Sequence, residues 1–124
     1  MTFEVGIVET VRASHVMPGR PLPEGEPHWH DYRVEVTIER EDLDEAGMVV
    51  DLDVLRSAFA MVMADVAEAS LDERLGAPGT TVERFAVWTH ERIGGTLGPL
   101  EDGTMQVRVW EGTDAFGGYR ATVG

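Results

Sequence analysis

The sequence predicts an α+β fold: a four-stranded antiparallel sheet with two helices on one face. Two long stretches near the N-terminus alternate apolar and polar residues with the two-residue period of a half-buried strand. The middle of the chain switches to three- and four-residue apolar spacing, and the last part alternates again. Strand, strand, helix, helix, strand, strand is an order in which both helices can cover one side of a single sheet.

In the first strand, residues 3–15, Phe3, Val5, Ile7, Val11, Ala13 and His15 share one parity against mostly polar neighbours. Residues 17–27, MPGRPLPEGEP, carry four prolines and two glycines and cannot continue a sheet interior, so a loop follows. From residue 28, His28, His30, Tyr32, Val34, Val36 and Ile38 face one way and Trp29, Asp31, Arg33, Glu35, Thr37 and Glu39 the other. This is the second strand.

Between Asp51 and Ser70, Leu52, Leu55, Phe59, Val62 and Val66 predict an amphipathic helix with Asp51 as its N-cap. LDERLGAPG (71–79) reads as a loop. A second helix is expected over TTVERFAVWTHERI, with Thr80 as N-cap and Glu83 closing a capping box. Its inner stripe is Val82, Phe85, Ala86, Thr89 and Ile93, its outer flank holds His90, and Gly94-Gly95 is its stop. TMQVRVWE (104–111) and FGGYRATV (116–123) supply the closing strands, and Glu111 continues the inward parity of Met105, Val107 and Val109. Such a sheet has two free edges, so assembly through those edges is expected.

A length of 124 residues fits one domain spanning residues 1–124. The chain has no apolar run approaching the ~18 residues of a membrane span and no basic region leading into an apolar leader, so a cytoplasmic protein without membrane attachment is expected. Twenty-three acidic against ten basic residues give a net charge of −13, which repels a phosphate backbone and excludes nucleic acid as an expected partner. Cysteine is absent, which removes disulfides, thiolate metal sites and thiol nucleophiles.

His28 and His30, two apart on a strand, project from one side, and His15 ends the apolar parity of the preceding strand. If the strands pair antiparallel through the 17–27 loop, three imidazoles converge, the donor set of a catalytic zinc site. The alternative is a pair of loop-edge polar residues and a hydrogen-bonded strand histidine. The third histidine favours the metal.

Several segments in order, ASH (13–15), HWH (28–30), GMVVDL (47–52), LDE (71–73), TTVER (80–84) and WEGT (110–113), resemble the motifs of the 6-pyruvoyl-tetrahydropterin and 6-carboxytetrahydropterin synthases. The resemblance spans nearly the whole chain and implies a T-fold, in which trimers close a barrel and stack as a homohexamer with active sites between subunits. It assigns His15, His28 and His30 as zinc ligands and Glu111 as the carboxylate that pairs with the 2-amino and N3–H edge of a pterin. Thr81 and Glu83 correspond to positions lining the pterin pocket, although capping is the favoured reading of Glu83. Trp29 stands where the family has glycine, with its side chain directed away from the ligand face.

The resemblance breaks at the proton-moving residues. Glu24 occupies the family's cysteine position, Glu73 replaces the histidine of its Asp-His pair, and Asp72 remains. Glu24 is either a general base beside the metal, as in a subclass that cleaves the side chain of dihydroneopterin triphosphate to 6-hydroxymethyl-dihydropterin, or a solvated acid of the PEGEP loop. Three readings follow. The first is a homologue that binds a pterin-like or purine-like molecule without the standard synthase reaction. The second is a zinc-dependent lyase cleaving a dihydropterin side chain with Glu24, Asp72 and Glu73 as its catalytic candidates. The third is a non-catalytic binding or regulatory protein with an empty metal site.

Overall fold

The structure, a computed structural model, describes residues 1–123. Strands β1 (Phe3–His15), β2 (His28–Arg40), β3 (Thr104–Trp110) and β4 (Phe116–Thr122) form one antiparallel sheet in that spatial order. Helices α1 (Leu52–Ala64), α2 (Leu71–Leu75) and α3 (Val82–Leu97) lie between β2 and β3 in the chain. α3 packs on β3 and β4, while α1 packs on β1 and against α3. Among the described residues no helix is long and apolar enough to cross a membrane.

The alternating parity places the core as the sequence predicts. Tyr32, Val34, Val36 and Ile38 of β2 and Met105, Val107 and Val109 of β3 are buried on the helix-covered face, opposite Leu55, Phe59, Phe85 and Ile93. In β4 the inward positions include Gly117 and Ala121, small residues beneath the start and middle of α3. A Cβ on Gly117 would lie 2.6 Å from Val82 Cγ2, so this glycine sets how closely α3 approaches the sheet.

Four helix expectations are corrected. The predicted first helix, 51–70, stops at Ala64 because β1 captures the chain beyond it: Glu68 N–H donates to the Arg12 carbonyl (2.6 Å) and Ser14 N–H donates to the Ala69 carbonyl (2.9 Å). Residues 71–75, predicted as loop, form α2, capped by the Ser70 hydroxyl and ended by left-handed Gly76. The N-cap of α3 is Thr81 rather than Thr80, its Oγ1 accepting from Arg84 N–H at 3.1 Å, and Glu83 therefore closes no capping box. Gly94-Gly95 do not stop α3, which packing carries through to Leu97 before Gly98 turns at φ 76°.

Two side chains also differ from expectation. Leu52 is exposed, at the very start of α1. His90 is buried (5 % exposed), its Nε2 3.2 Å from the Ala121 carbonyl and its ring against Tyr119, because β4 covers the flank of α3 that periodicity alone leaves open.

Candidate metal centre and ligand cleft

The β1–β2 register pairs His15 with His28 and Ala13 with His30, so the three imidazoles meet at one end of the sheet's helix-facing side. Ring centroids lie 4.5 Å (His15–His28), 5.0 Å (His15–His30) and 4.9 Å (His28–His30) apart. One nitrogen from each lies within 4.8 Å of the others. Tetrahedral zinc with bonds of ~2.0–2.1 Å needs nitrogens roughly 3.3 Å apart, within the range of this cluster.

The outer nitrogens are already committed. His15 Nδ1 is 2.7 Å from the Thr80 carbonyl and His28 Nδ1 is 2.9 Å from the Glu26 carbonyl, contacts that place the proton on Nδ1 and leave Nε2 as a lone-pair donor. His15 Nε2 and His30 Nε2 are buried without a hydrogen-bond partner. Unpartnered buried nitrogens on converging rings fit a metal ion.

Burial lowers the pKa of His30, and the His15 and His28 rings act in the same direction against the opposing pull of Glu111. A neutral imidazole is the ligating form. Glu111 Oε1 stands 3.0 Å from His30 Nε2 without the alignment of a hydrogen bond.

Asp72 anchors this centre from behind. Its Oδ2 accepts from Val16 N–H (2.9 Å) and its Oδ1 from Thr80 N–H (2.8 Å), joining the end of β1, α2 and the approach to α3. Burial works to raise its pKa, but the hydrogen bonds from Thr80 and Val16, with His15 nearby, hold the carboxyl below its usual value.

Two clefts flank the triad. One of about 500 Å³ is lined by His15, Met17, Arg20, Pro21, Glu24, Thr81, Val82, Glu83 and Glu111. The second, about 400 Å³, is lined by His30, Val82, Glu111, Gly112, Ala115 and Phe116. The structure thus brings Glu24, Thr81, Glu83 and Glu111 into walls around the histidines. Glu73 is exposed and lines neither cleft. Trp29 lies on the sheet's open face under the Arg12 guanidinium, 4.4 Å from the ring. A further cleft of about 400 Å³ lies by Phe3, Leu43, Met48 and Val50 at the other end of β1, remote from these residues.

Sequence reasoning gave Tyr32 only a place in the inward parity and Thr80 only a capping role. Tyr32 shares the inward parity of His28 and His30, and its ring stands 5.3 Å from His30. Its hydroxyl is buried without a partner, and burial, with the Glu111 and Asp72 carboxylates, raises its pKa. The parity was visible in the sequence. Thr80 contributes through its backbone, for which residue type carries no signal.

The family model for 6-pyruvoyl tetrahydropterin synthase matches residues 4–122. Among solved structures, 6-pyruvoyl tetrahydropterin synthase from Caenorhabditis elegans superposes with a TM-score of 0.80 at 19% identity, covering 98% of this chain and 97% of its own. The Plasmodium vivax enzyme superposes with a TM-score of 0.79 at 12% identity, with 99% of each chain covered. An uncharacterised protein from Wolinella succinogenes gives 0.72 at 15% identity, with 98% of each chain covered. No curated protein matches at a significant level. A four-stranded antiparallel sheet with helices on one face is the T-fold of those structures, and with the family model matching nearly end to end, the chain belongs to the 6-pyruvoyl tetrahydropterin synthase family.

Proposed function

We propose that this protein binds a pterin-like ligand beside a zinc ion held by His15, His28 and His30, and does not perform the standard synthase reaction. The observation that carries the reading is the convergence of three imidazoles in which the buried His15 Nε2 has no hydrogen-bond partner and His30 Nε2 has only the unaligned Glu111 carboxylate at 3.0 Å, beside clefts that share Glu111. When bound, zinc would supply Lewis-acid polarisation of a substrate oxygen. Glu111 orients the ligand by accepting from its 2-amino and N3–H groups, and Thr81 and Glu83 shape the adjoining wall. Asp72 acts as a positioning residue through Val16 and Thr80. With Glu73 turned to solvent and the imidazole near Asp72, that of His15, assigned to the metal, the acid–base pair of the family has no counterpart here.

A second reading, side-chain cleavage of a dihydropterin with Glu24 as base, is favoured by the place of Glu24 in the larger cleft. One matching Plasmodium vivax structure is of a catalytic-residue mutant in which the replaced residue is a glutamate, which supports catalytic use of that residue type in this fold. We further assign the protein to a homohexamer, a dimer of trimers, assembled through the sheet edges that β1 and β4 present. Calorimetric titration with neopterin tests the ligand. Glu111→Gln should weaken binding roughly tenfold to a hundredfold, the effect of losing a charged acceptor. No binding by the wild-type protein would overturn the pterin reading, and equal affinity in the variant would remove Glu111 from it.

A further inference from the structure

A polar atom buried without a hydrogen-bond partner lowers the stability of the fold that buries it. Among the described residues six buried side-chain nitrogens and oxygens have no aligned partner, and three of them sit on neighbouring rings: His15 Nε2, His30 Nε2 and the Tyr32 hydroxyl. The two nitrogens belong to the histidine triad. The hydroxyl does not.

Strand parity sets Tyr32 beside the triad. It follows His28 and His30 at two-residue steps on β2, so the three side chains share the helix-facing side. Its ring stands 6.0 Å from that of His15, edge-on at 90°, and 5.3 Å from that of His30. Phe85 of α3 covers another flank, its ring 5.5 Å away at 87°. Because Arg33 pairs with Trp110, Tyr32 also lies alongside Glu111, the residue that follows β3. Tyr32 is 1 % exposed, which separates its hydroxyl from bulk water, and no side chain or carbonyl around it accepts its proton. A phenol keeps that proton at neutral pH and can donate it in a hydrogen bond. A metal held by three imidazoles leaves a fourth position to an oxygen of water or substrate, which brings an acceptor to this place.

We propose that Tyr32 is a further binding residue of the centre, its hydroxyl donating to an oxygen atom held beside the three histidines, on a water molecule or on a hydroxyl or carbonyl group of the ligand; this rests on the metal reading of the same histidines.

The test is thermal unfolding of the full chain, wild type and Tyr32→Phe, each chelator-treated and zinc-supplemented, with elemental analysis and calorimetric titration of the zinc-loaded proteins with neopterin. Phenylalanine keeps the ring and removes the hydroxyl alone. Chelator-treated Tyr32→Phe should melt at or above the wild-type Tm, because a hydroxyl without a partner is exchanged for an apolar edge. Zinc content should be equal in the two proteins. Zinc should raise the Tm of the wild type further than that of the variant by about 3–5 °C, the effect of one hydrogen bond in a domain of this length, which places the oxygen on water. Equal rises with neopterin affinity weakened roughly twofold to tenfold in the variant place it on the ligand. Equal rises with equal neopterin affinity overturn the role of Tyr32 while the metal reading stands. A chelator-treated variant less stable than the wild type would reveal a permanent partner for the hydroxyl and overturn that role whatever the other readings. Loss of zinc from Tyr32→Phe would make Tyr32 a ligand instead of a donor and overturn it too. If the wild type takes up no zinc, the metal reading and this inference fall together.

Discussion

His15 Nδ1 and the Thr80 carbonyl oxygen stand 2.7 Å apart, joining positions 65 residues apart in the chain. This contact orients the His15 ring so that Nε2 turns toward His28 and His30. Asp72 ties the same two segments together through Val16 and Thr80. The candidate metal centre is therefore held by the α2–α3 connection as well as by the strands that carry its histidines.

Protein purified without chelator should carry about one zinc per chain, and His28→Ala should lose it. Elemental analysis of the two proteins side by side measures this. Chelation should also lower the Tm of the wild type, because an ion that binds only the folded state stabilises it. Equal, near-zero zinc in both proteins would leave a ligand-binding cleft without a metal centre.

Asp72→Asn should destabilise the fold by about 1–3 kcal/mol at neutral pH, since one of the two backbone N–H donors then faces an amide NH₂ instead of an acceptor. The sign with pH follows from the lowered carboxyl pKa. With a folded value below the unfolded value of about 3.9, the contribution is complete above the unfolded pKa and declines as pH falls toward the folded one. Denaturant melts should show a constant gap between wild type and variant from about pH 5 to 8 that narrows below about pH 4. A gap that widens on acidification would contradict the clamp.

Gly117→Ala should cost about 1–3 kcal/mol, because its Cβ would collide with stiff Val82 and force the start of α3 outward. Val82 and Glu83 line the larger cleft, so neopterin affinity should fall along with Tm. An unchanged Tm would show that the helix start yields freely.

The missing thiol and imidazole predict the chemistry. Forming the pyruvoyl side chain requires a base to remove protons and an acid to return them. A carboxylate with an ordinary pKa of ~4.3 is a poor proton donor at neutral pH. Dihydroneopterin triphosphate should therefore give no detectable 6-pyruvoyl-tetrahydropterin, and any 6-hydroxymethyl-dihydropterin formed should disappear in Glu24→Ala. Chromatographic product analysis reads both. Robust pyruvoyl product from the wild type would refute the first claim, and cleavage persisting in the variant would refute the second.

The sequence by itself determined the sheet and the meeting of the histidines, because strand parity is a local property: side chains two apart share a face, and an antiparallel turn brings the ends of β1 and β2 together. It also marked the absent cysteine and Glu73 as departures from the motifs that the chain resembles. Only the tertiary structure decided the features that depend on backbone groups finding distant partners. Periodicity favoured a helix through Ser70, but hydrogen bonds to Arg12 and from Ser14 ended it and left room for α2. The same kind of contact shifted the α3 cap, since the backbone of Thr80 is already engaged by Asp72 and His15 and the capping role passes to Thr81. His90 became buried because β4 packs over a helix flank that the helix's own spacing leaves exposed. In each case a peptide N–H, a carbonyl or a covering strand made the difference, and none of these is encoded by the side chain at the position it changes.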